Sequence, residues 1–248
     1  MAINTEKNSY TILFAIGMVL VVGSLLAFLA MTLKPTITEN ERLEKQQNIL
    51  YAMGVNNNDG PGSVDFIPTA EVTDKFNKHI TKQLVIQGDD VQENPEAYLI
   101  DIKKEGDKAK DPSYTRKLPL FVGEKDGKTM YVVPMRGKGL WDAIWGFVAL
   151  DENMVVQGVF FDHKGETPGL GSNIKERFFM DDFEGEQTLD NGNFVGIDVA
   201  KGNSDPLNKV KDDNEVDAIA GATITGDGIA AMIKKDLKMY VPYFKSLK

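Results

Sequence analysis

The sequence contains no cysteine and only two histidines, His79 and His163. The first absence excludes disulfides and cysteine-ligated iron–sulfur clusters. Two histidines this far apart also argue against a haem held by two histidines and against a His-rich zinc site. Basic residues are in the minority: 28 Lys and Arg face 37 Asp and Glu, for a net charge of −9. Such a chain lacks the basic face of a nucleic-acid binder, so nucleic acid is not expected as a partner. There is no internal repeat. Charge of either sign is missing between Lys7 and Lys34.

That charge-free stretch is the first positive feature. Tyr10 to Leu33 is dominated by Leu, Val, Ile, Ala, Phe and Met. At 1.5 Å rise per residue a helix of this length crosses a hydrocarbon core of about 30 Å. A signal peptide is the rival reading, but its apolar region is normally shorter, and Phe28-Leu29-Ala30 is a poor cleavage site. An uncleaved anchor over 10–33 is therefore expected, after a short N-terminal segment 1–9. With 42% hydrophobic residues, the remainder of the 248-residue chain can bury a substantial core.

Thr38 to Met53 reads as a stalk helix, with Thr38-x-x-Glu41 as a capping box. The Asn56–Gly62 turn cluster ends it. Pro68 to Val85 suggests a second helix carrying Val72, Phe76, Ile80 and Leu84; His79 within it has no partner in sight. Tyr98–Ile102 reads as a strand and Lys103–Tyr114 as a charged loop. Leu118–Val122 and Met130–Val133 are strand candidates around the hairpin signal Glu124-Lys-Asp-Gly127. A second hairpin, Ile144–Leu150 and Met154–Phe161, turns at Asp151–Asn153. Asn173–Phe183 reads as a helix, Asn193–Ala200 as a strand and Gly202–Asn214 as a loop. The order implies an α+β fold, an antiparallel sheet with flanking helices. Residues 34–97 would form the stalk and the first part of the soluble region, and 98–248 the main domain.

Three segments carry candidate chemistry. The first is Asp217-Ala-Ile-Ala-Gly221-Ala222-Thr223-Ile-Thr225-Gly-Asp-Gly228, which runs into a helical pattern from Ile229 to Tyr240. Its glycines allow close approach or positive φ. Thr223 and Thr225 are both candidate N-caps, with Asp227 near the favourable helix dipole. A glycine-rich helix start can hold a phosphate, and it can equally be an ordinary capped helix. The second is Gly137-Lys-Gly139-Leu140-Trp141, followed by Trp145: accessible backbone with two wide aromatic faces, suited to a planar ring or, as plainly, a glycine turn with two core tryptophans. The third is His163-Lys-Gly-Glu166-Thr167-Pro168-Gly169-Leu170-Gly171, a rigid turn. His163 and Glu166 alone do not make a metal site, and no nucleophile is spaced to work with them.

Asp217-x-x-x-Gly221-Ala222-Thr223-x-Thr225 resembles the flavinylation motif of the FMN-binding domain family, although Ala220 stands where that family usually has Ser. The resemblance implies FMN linked through its phosphate to the hydroxyl of the last threonine, Thr225, with Asp217 orienting the loop or aiding recognition by a flavin transferase. Gly137-x-Gly139-Leu140-Trp141 is similar to a recurring segment of the same domain, and Thr167–Gly171 to one that lines the flavin. On this basis Gly137, Gly139, Leu140, Trp141, Trp145, Glu166, Thr167, Pro168, Gly169, Leu170, Gly171, Asp217, Gly221, Ala222 and Thr223 are expected around the cofactor. The resemblance spans about Leu118 to Leu237.

With its anchor, the whole chain resembles the C-subunit family of the sodium-pumping NADH:quinone oxidoreductases. That implies an electron carrier rather than a complete enzyme. It would take electrons from an iron–sulfur centre and pass them to the flavin of the B subunit, on the way to ubiquinone. The implied partners are the membrane, the A, B, D and E subunits, the F subunit indirectly, and the transferase. The N terminus would be cytoplasmic and the domain periplasmic, on a single pass through a bacterial inner membrane. One apolar helix without internal charge offers no ion path, so sodium transport would belong to the whole complex. Two alternatives stay open: the G subunit of the related Rnf complex, and a non-redox anchored binding module.

Overall fold

The computed structural model describes residues 7–60, 62–203, 205–206 and 208–247. The anchor and stalk expected from sequence form one helix, α1 (Asn8–Ala52), which continues through Pro35. Thr38 lies inside this helix, so no capping box forms there. Residues 1–42 make up a unit of their own. Its apolar stretch is exposed along its length and is long and apolar enough to cross a membrane.

The second unit, Leu43–Lys248, contains the rest. Its centre is an antiparallel sheet in the order β2-β1-β3-β4-β5-β6, made of β1 (Ile80–Gln87), β2 (Asp90–Glu93), β3 (Leu118–Lys125), β4 (Lys128–Lys138), β5 (Ala143–Leu150) and β6 (Val156–His163). Side chains alternate across it. One face carries Val133, Met135, Ile144, Val148 and Phe161, and the other Val132, Phe147, Ala149 and Phe160. The last turns of α1 cover the second face. Tyr51 packs on Phe160, and a Cβ on Gly158 would lie 2.5 Å from the Ala52 carbonyl oxygen. The first face is covered by α5 (Thr223–Leu237), α6 (Val241–Ser246) and the segment containing α4 (Arg177–Met180), whose Phe179 and neighbouring Phe183 cluster on Phe161. This is the α+β arrangement expected from the element order.

Several local expectations change. The helix at Pro68–Val85 is shorter: α2 covers Val72–His79, and Ile80 and Leu84 belong to β1. Pairing of Ile80–Ile86 with β3 buries these apolar residues on a sheet, which outweighs the helical spacing they share with Phe76. The strand expected at Tyr98–Ile102 is a 3-10 turn leading into α3 (Ile102–Lys108). Asp101 caps α3 by accepting from the Lys103 and Lys104 N–H groups. The charged Lys103–Tyr114 stretch is thus partly helical. It is tied down by the buried Glu105, which accepts from Lys108 Nζ at 2.7 Å and from the Tyr114 hydroxyl at 2.6 Å. Asn173–Phe183 is broken into 3-10, α and 3-10 turns, each burying an apolar side chain. Asn193–Ala200 is interrupted at Gly196, whose φ is +80°, and leaves two short strand pieces. The hairpin turn at Asp126-Gly127 forms as expected, with both residues at positive φ.

Helix α5 is the element that positions the site. Its carboxylate Asp236 accepts the Arg136 N–H at 2.8 Å, in place of a strand partner for that part of β4. Arg116 Nη1 approaches the same carboxylate at 3.4 Å. Gly137 and Gly228 let β4 and α5 come close: a Cβ on Gly137 would lie 2.8 Å from Met232 Cβ, and one on Gly228 would lie 2.5 Å from the Lys138 carbonyl oxygen.

Candidate functional site

The three sequence segments converge. The β4–β5 connection, Gly139–Asp142, closes with the Gly139 N–H donating to the Asp142 carbonyl at 2.8 Å. The loop after β6 carries Glu166 to Gly171, folded on itself by Leu170 and Ser172 N–H groups donating to the Thr167 carbonyl. Ala222 precedes the first turn of α5, at its N-cap position.

Glu166 joins them. It is only 4% exposed, yet it accepts a hydrogen bond from the Thr225 hydroxyl at 2.7 Å and one from the Trp141 N–H at 3.0 Å. Burial pushes its carboxyl up, but the Thr225 hydroxyl and the Trp141, Asp142 and Leu140 N–H groups outweigh burial and hold it below its ordinary value. Two glycines are explained by this carboxylate. A Cβ on Gly139 would lie 2.5 Å from Glu166 Oε1, and one on Gly171 would lie 2.5 Å from both Glu166 Oε2 and Thr225 Oγ1. The Glu166 N–H in turn donates to His163 Nδ1 at 3.1 Å.

Beside this buried bracket lies an exposed apolar surface. Trp141 is 68% exposed, and Leu140, Leu170 and Ile224 are exposed in the same three segments. The Trp141 indole N–H donates to Thr167 Oγ1 at 3.1 Å, which fixes the ring against the loop. Gly221 has φ +70°, and a Cβ there would lie 2.9 Å from Leu170 Cδ2. Pro168 and Gly169 form the exposed tip of the turn, with Gly169 at φ +75°. Ile224 carries no signal of its exposure in the sequence, because an apolar residue at a helix start reads as core.

Other expected site residues fall elsewhere. Gly137 serves the contact between β4 and α5. Trp145 sits on β5 next to Ile144, and strand alternation turns it to the sheet face opposite α5. Asp217 is buried, and it joins burial in pushing the Asp182 carboxyl up to about 6. Neither threonine is an N-cap: Ala222 holds that position and α5 begins at Thr223. Asp227 lies beyond the first turn, which contains no acidic residue. The two threonines differ sharply in surroundings. Thr223 is exposed, whereas Thr225 is 1% exposed with its hydroxyl held by Glu166.

The residues suit FMN. Wide apolar faces are available for a planar ring, and close backbone is available at glycines. The first N–H groups of α5 lack helical partners, the normal provision for an anion. Leu140, Trp141, Leu170 and Ile224 leave this surface exposed to solvent. A separate cavity of about 410 Å³ lies between α3 and α5, lined by Lys103, Arg116, Arg136 and Lys235 among others, and includes none of Trp141, Thr167, Leu170 or Thr225. Among the described residues, no group of three or more His, Cys, Asp or Glu is placed to hold a metal ion.

Fold and site together define a flavin-type domain, and residues 139–238 match the FMN-binding domain family. The relatives are more particular. The C subunit of the Na(+)-translocating NADH-quinone reductase of Pseudomonas aeruginosa is 32% identical over 91% of this chain and 90% of its own length. Its counterpart in Haemophilus ducreyi is 30% identical over 91% of this chain and 88% of its own length. Among solved structures, the C subunit from Parabacteroides distasonis superposes with a TM-score of 0.71 at 29% identity, covering 86% of this chain and 96% of that one. Shewanella oneidensis NqrC gives 0.64 at 27% identity, covering 84% and 99%. The chain belongs to the C-subunit family of the Na(+)-translocating NADH-quinone reductases.

Proposed function

We propose that this protein is the flavin-bearing electron carrier of a sodium-translocating NADH:quinone reductase, anchored by α1 with its domain on the periplasmic side of a bacterial inner membrane. The observation that carries this reading is the convergence of Trp141, Thr167, Leu170 and the start of α5 around one exposed surface. FMN supplies the redox chemistry when bound. The chain's own part is to present apolar faces to the ring, offer backbone donors to the phosphate, and keep the site at the surface where neighbouring carriers can approach.

We place the phosphoester on Thr225. Thr225 lies within the first turn of α5, close to the N–H groups that the helix leaves unpaired and to the positive end of its dipole. It also has a carboxylate within hydrogen-bond distance, whereas Thr223 is simply exposed to water. Thr225 is covered, so a transferase needs a local opening at the surface to reach it. The Thr167–Gly171 turn carries an exposed Pro168-Gly169 tip. Electron entry from an iron–sulfur centre, exit to the flavin of the B subunit, and contacts with the A, D, E and F subunits belong to this proposal through the family relationship.

The test is intact mass of the full chain after co-expression with a flavin transferase, followed by peptide mapping. A gain of FMN less one water, located on Thr225, is expected. The same gain on Thr223 would keep the carrier and move its attachment. An unshifted mass, with the transferase active on a known acceptor, would sink the reading and leave an anchored binding module.

A further inference from the structure

We propose that Glu166 is the base for this chain's own modification: its buried carboxylate takes the proton of the Thr225 hydroxyl as the phosphoester forms, and keeps that proton afterwards. This deepens the flavin reading given above and rests on it.

The geometry supports each part. Glu166 Oε2 accepts from Thr225 Oγ1 at 2.7 Å, within the reach a general base needs. The other groups that hold the carboxylate are backbone donors, the Trp141 N–H on Oε1 with the Leu140 and Asp142 N–H groups adding to it, and the His163 ring accepts from the Glu166 N–H rather than from its carboxyl. An all-donor shell keeps the carboxylate ionised though nearly buried, so it is ready to accept. Gly139 and Gly171 leave no spare volume on either side, and the carboxylate has one place to sit. A threonine hydroxyl is a weak nucleophile until a neighbouring base removes its proton. Thr223, two residues away, is exposed to solvent instead.

The balance of the step fixes the donor class. Joining FMN itself to an alcohol would release water, so the phosphorus must arrive already activated, as in the pyrophosphate of a flavin dinucleotide. The Thr225 Oγ1–phosphorus bond forms and the pyrophosphate P–O bond breaks. The nucleoside monophosphate leaves with the electron pair of that bond, and the hydroxyl proton passes to Glu166. No oxidation state changes. The ester phosphate retains one negative charge next to the carboxyl. Two anions at this distance oppose each other, so Glu166 stays protonated in the product and donates where it formerly accepted.

Glu166→Gln tests the base with little change of shape. Its amide oxygen can accept the Trp141 N–H while its amide nitrogen faces Thr225 Oγ1, but it cannot take up a proton. The full chain in detergent is labelled by purified transferase with flavin adenine dinucleotide, and the rate is followed against chain concentration. The variant is expected to lose at least about a hundredfold in kcat for labelling, with KM for the chain little changed. Parental kcat in a folded Glu166→Gln protein overturns the proposal, and so does a loss confined to KM. The parent chain supplies a second measurement that needs no variant. Grown with carboxyl-labelled glutamate, it should gain an isotope-shifted infrared band of a protonated carboxyl on labelling. Absence of that band overturns the retained proton. A parent chain that takes no label at all fails at the earlier step, the flavin reading, and this assignment falls with it.

Discussion

Thr223 and Thr225 should give opposite results when each is replaced by valine. Valine matches threonine in shape and loses only the hydroxyl, so the two changes compare the same chemistry two positions apart. At Thr225 the lost group donates to a buried carboxylate at 2.7 Å. Hydrogen bonds to charged groups contribute about 1.5–3 kcal/mol, and removal leaves Glu166 Oε2 short of a donor. Thr225→Val should therefore destabilise the domain by about 2 kcal/mol, or about 4–8 °C in Tm for a domain of roughly 200 residues. At Thr223 the side chain is exposed and makes no cap, so Thr223→Val should cost less than about 0.5 kcal/mol. Covalent flavin should divide the same way. Thr225→Val should fold, less stably, and carry none, while Thr223→Val should fold normally and be labelled. Urea unfolding of the full chain in detergent gives the first quantity, and in-gel flavin fluorescence with peptide mapping gives the second. A labelled Thr225→Val protein beside an unlabelled Thr223→Val protein would refute the reasoning, and would show that exposure rather than a neighbouring base selects the acceptor.

Gly171→Ala places a methyl 2.5 Å from both Glu166 Oε2 and Thr225 Oγ1, so it should cost about 1–3 kcal/mol by urea unfolding and lower flavin occupancy, whereas Gly165→Ala, which meets nothing within 4 Å, should leave occupancy unchanged. Stability should also fall with rising pH around neutrality. Glu186 is fully buried with Oε2 unpartnered, and burial pushes its carboxyl up to about 7 despite Asn208 at 3.0 Å and Lys211 at 3.6 Å. The folded chain thus holds a proton that the unfolded chain has released. The associated stability is complete below the ordinary carboxylate range and is lost as pH rises through about 7. The loss is at most about 3 kcal/mol. Glu186→Gln should reduce the slope of unfolding free energy against pH without abolishing it, because Asp182, raised to about 6, acts in the same direction. An unchanged slope would show that Glu186 is ionised in the folded protein.

The sheet was legible where turn chemistry or a continuous apolar run marked it, as at Asp126-Gly127 and along β5. It failed at Ile80–Ile86, where spacing suits a helix and only pairing with β3 selects the strand. The α3 region misled because its stability comes from one buried carboxylate, Glu105, whose partners lie up to twelve residues away in sequence. The site was legible as three segments, since glycines, aromatics and threonines mark them individually. What joins them was not. Nothing in His163–Gly171 announces that Glu166 turns inward to Thr225, 59 residues later, rather than outward to a ligand. The roles of Thr223 and Thr225 as caps needed the start of α5 fixed within two residues, and that is finer than sequence signals for a helix terminus usually resolve.

The openness of the surface bears on what it does. A substrate-transforming flavin site gains by enclosing its ring, since it must orient a reactant and exclude water. A carrier has the opposite need, because its ring must come close to two different partners in turn. Trp141 is 68% exposed, and Leu140, Leu170 and Ile224 are exposed beside it. An open seat invites a loosely held ring, and the bracket answers this. Trp141 is held by Thr167 at its indole N–H and by Glu166 at its backbone N–H, and Glu166 also holds Thr225. Thr225 and Trp141 are therefore fastened to one carboxylate rather than to two loops that move separately. On the proposed attachment at Thr225, a ring resting on Trp141 would stay accessible without swinging, and its distance to a partner would be set by docking rather than by side-chain motion.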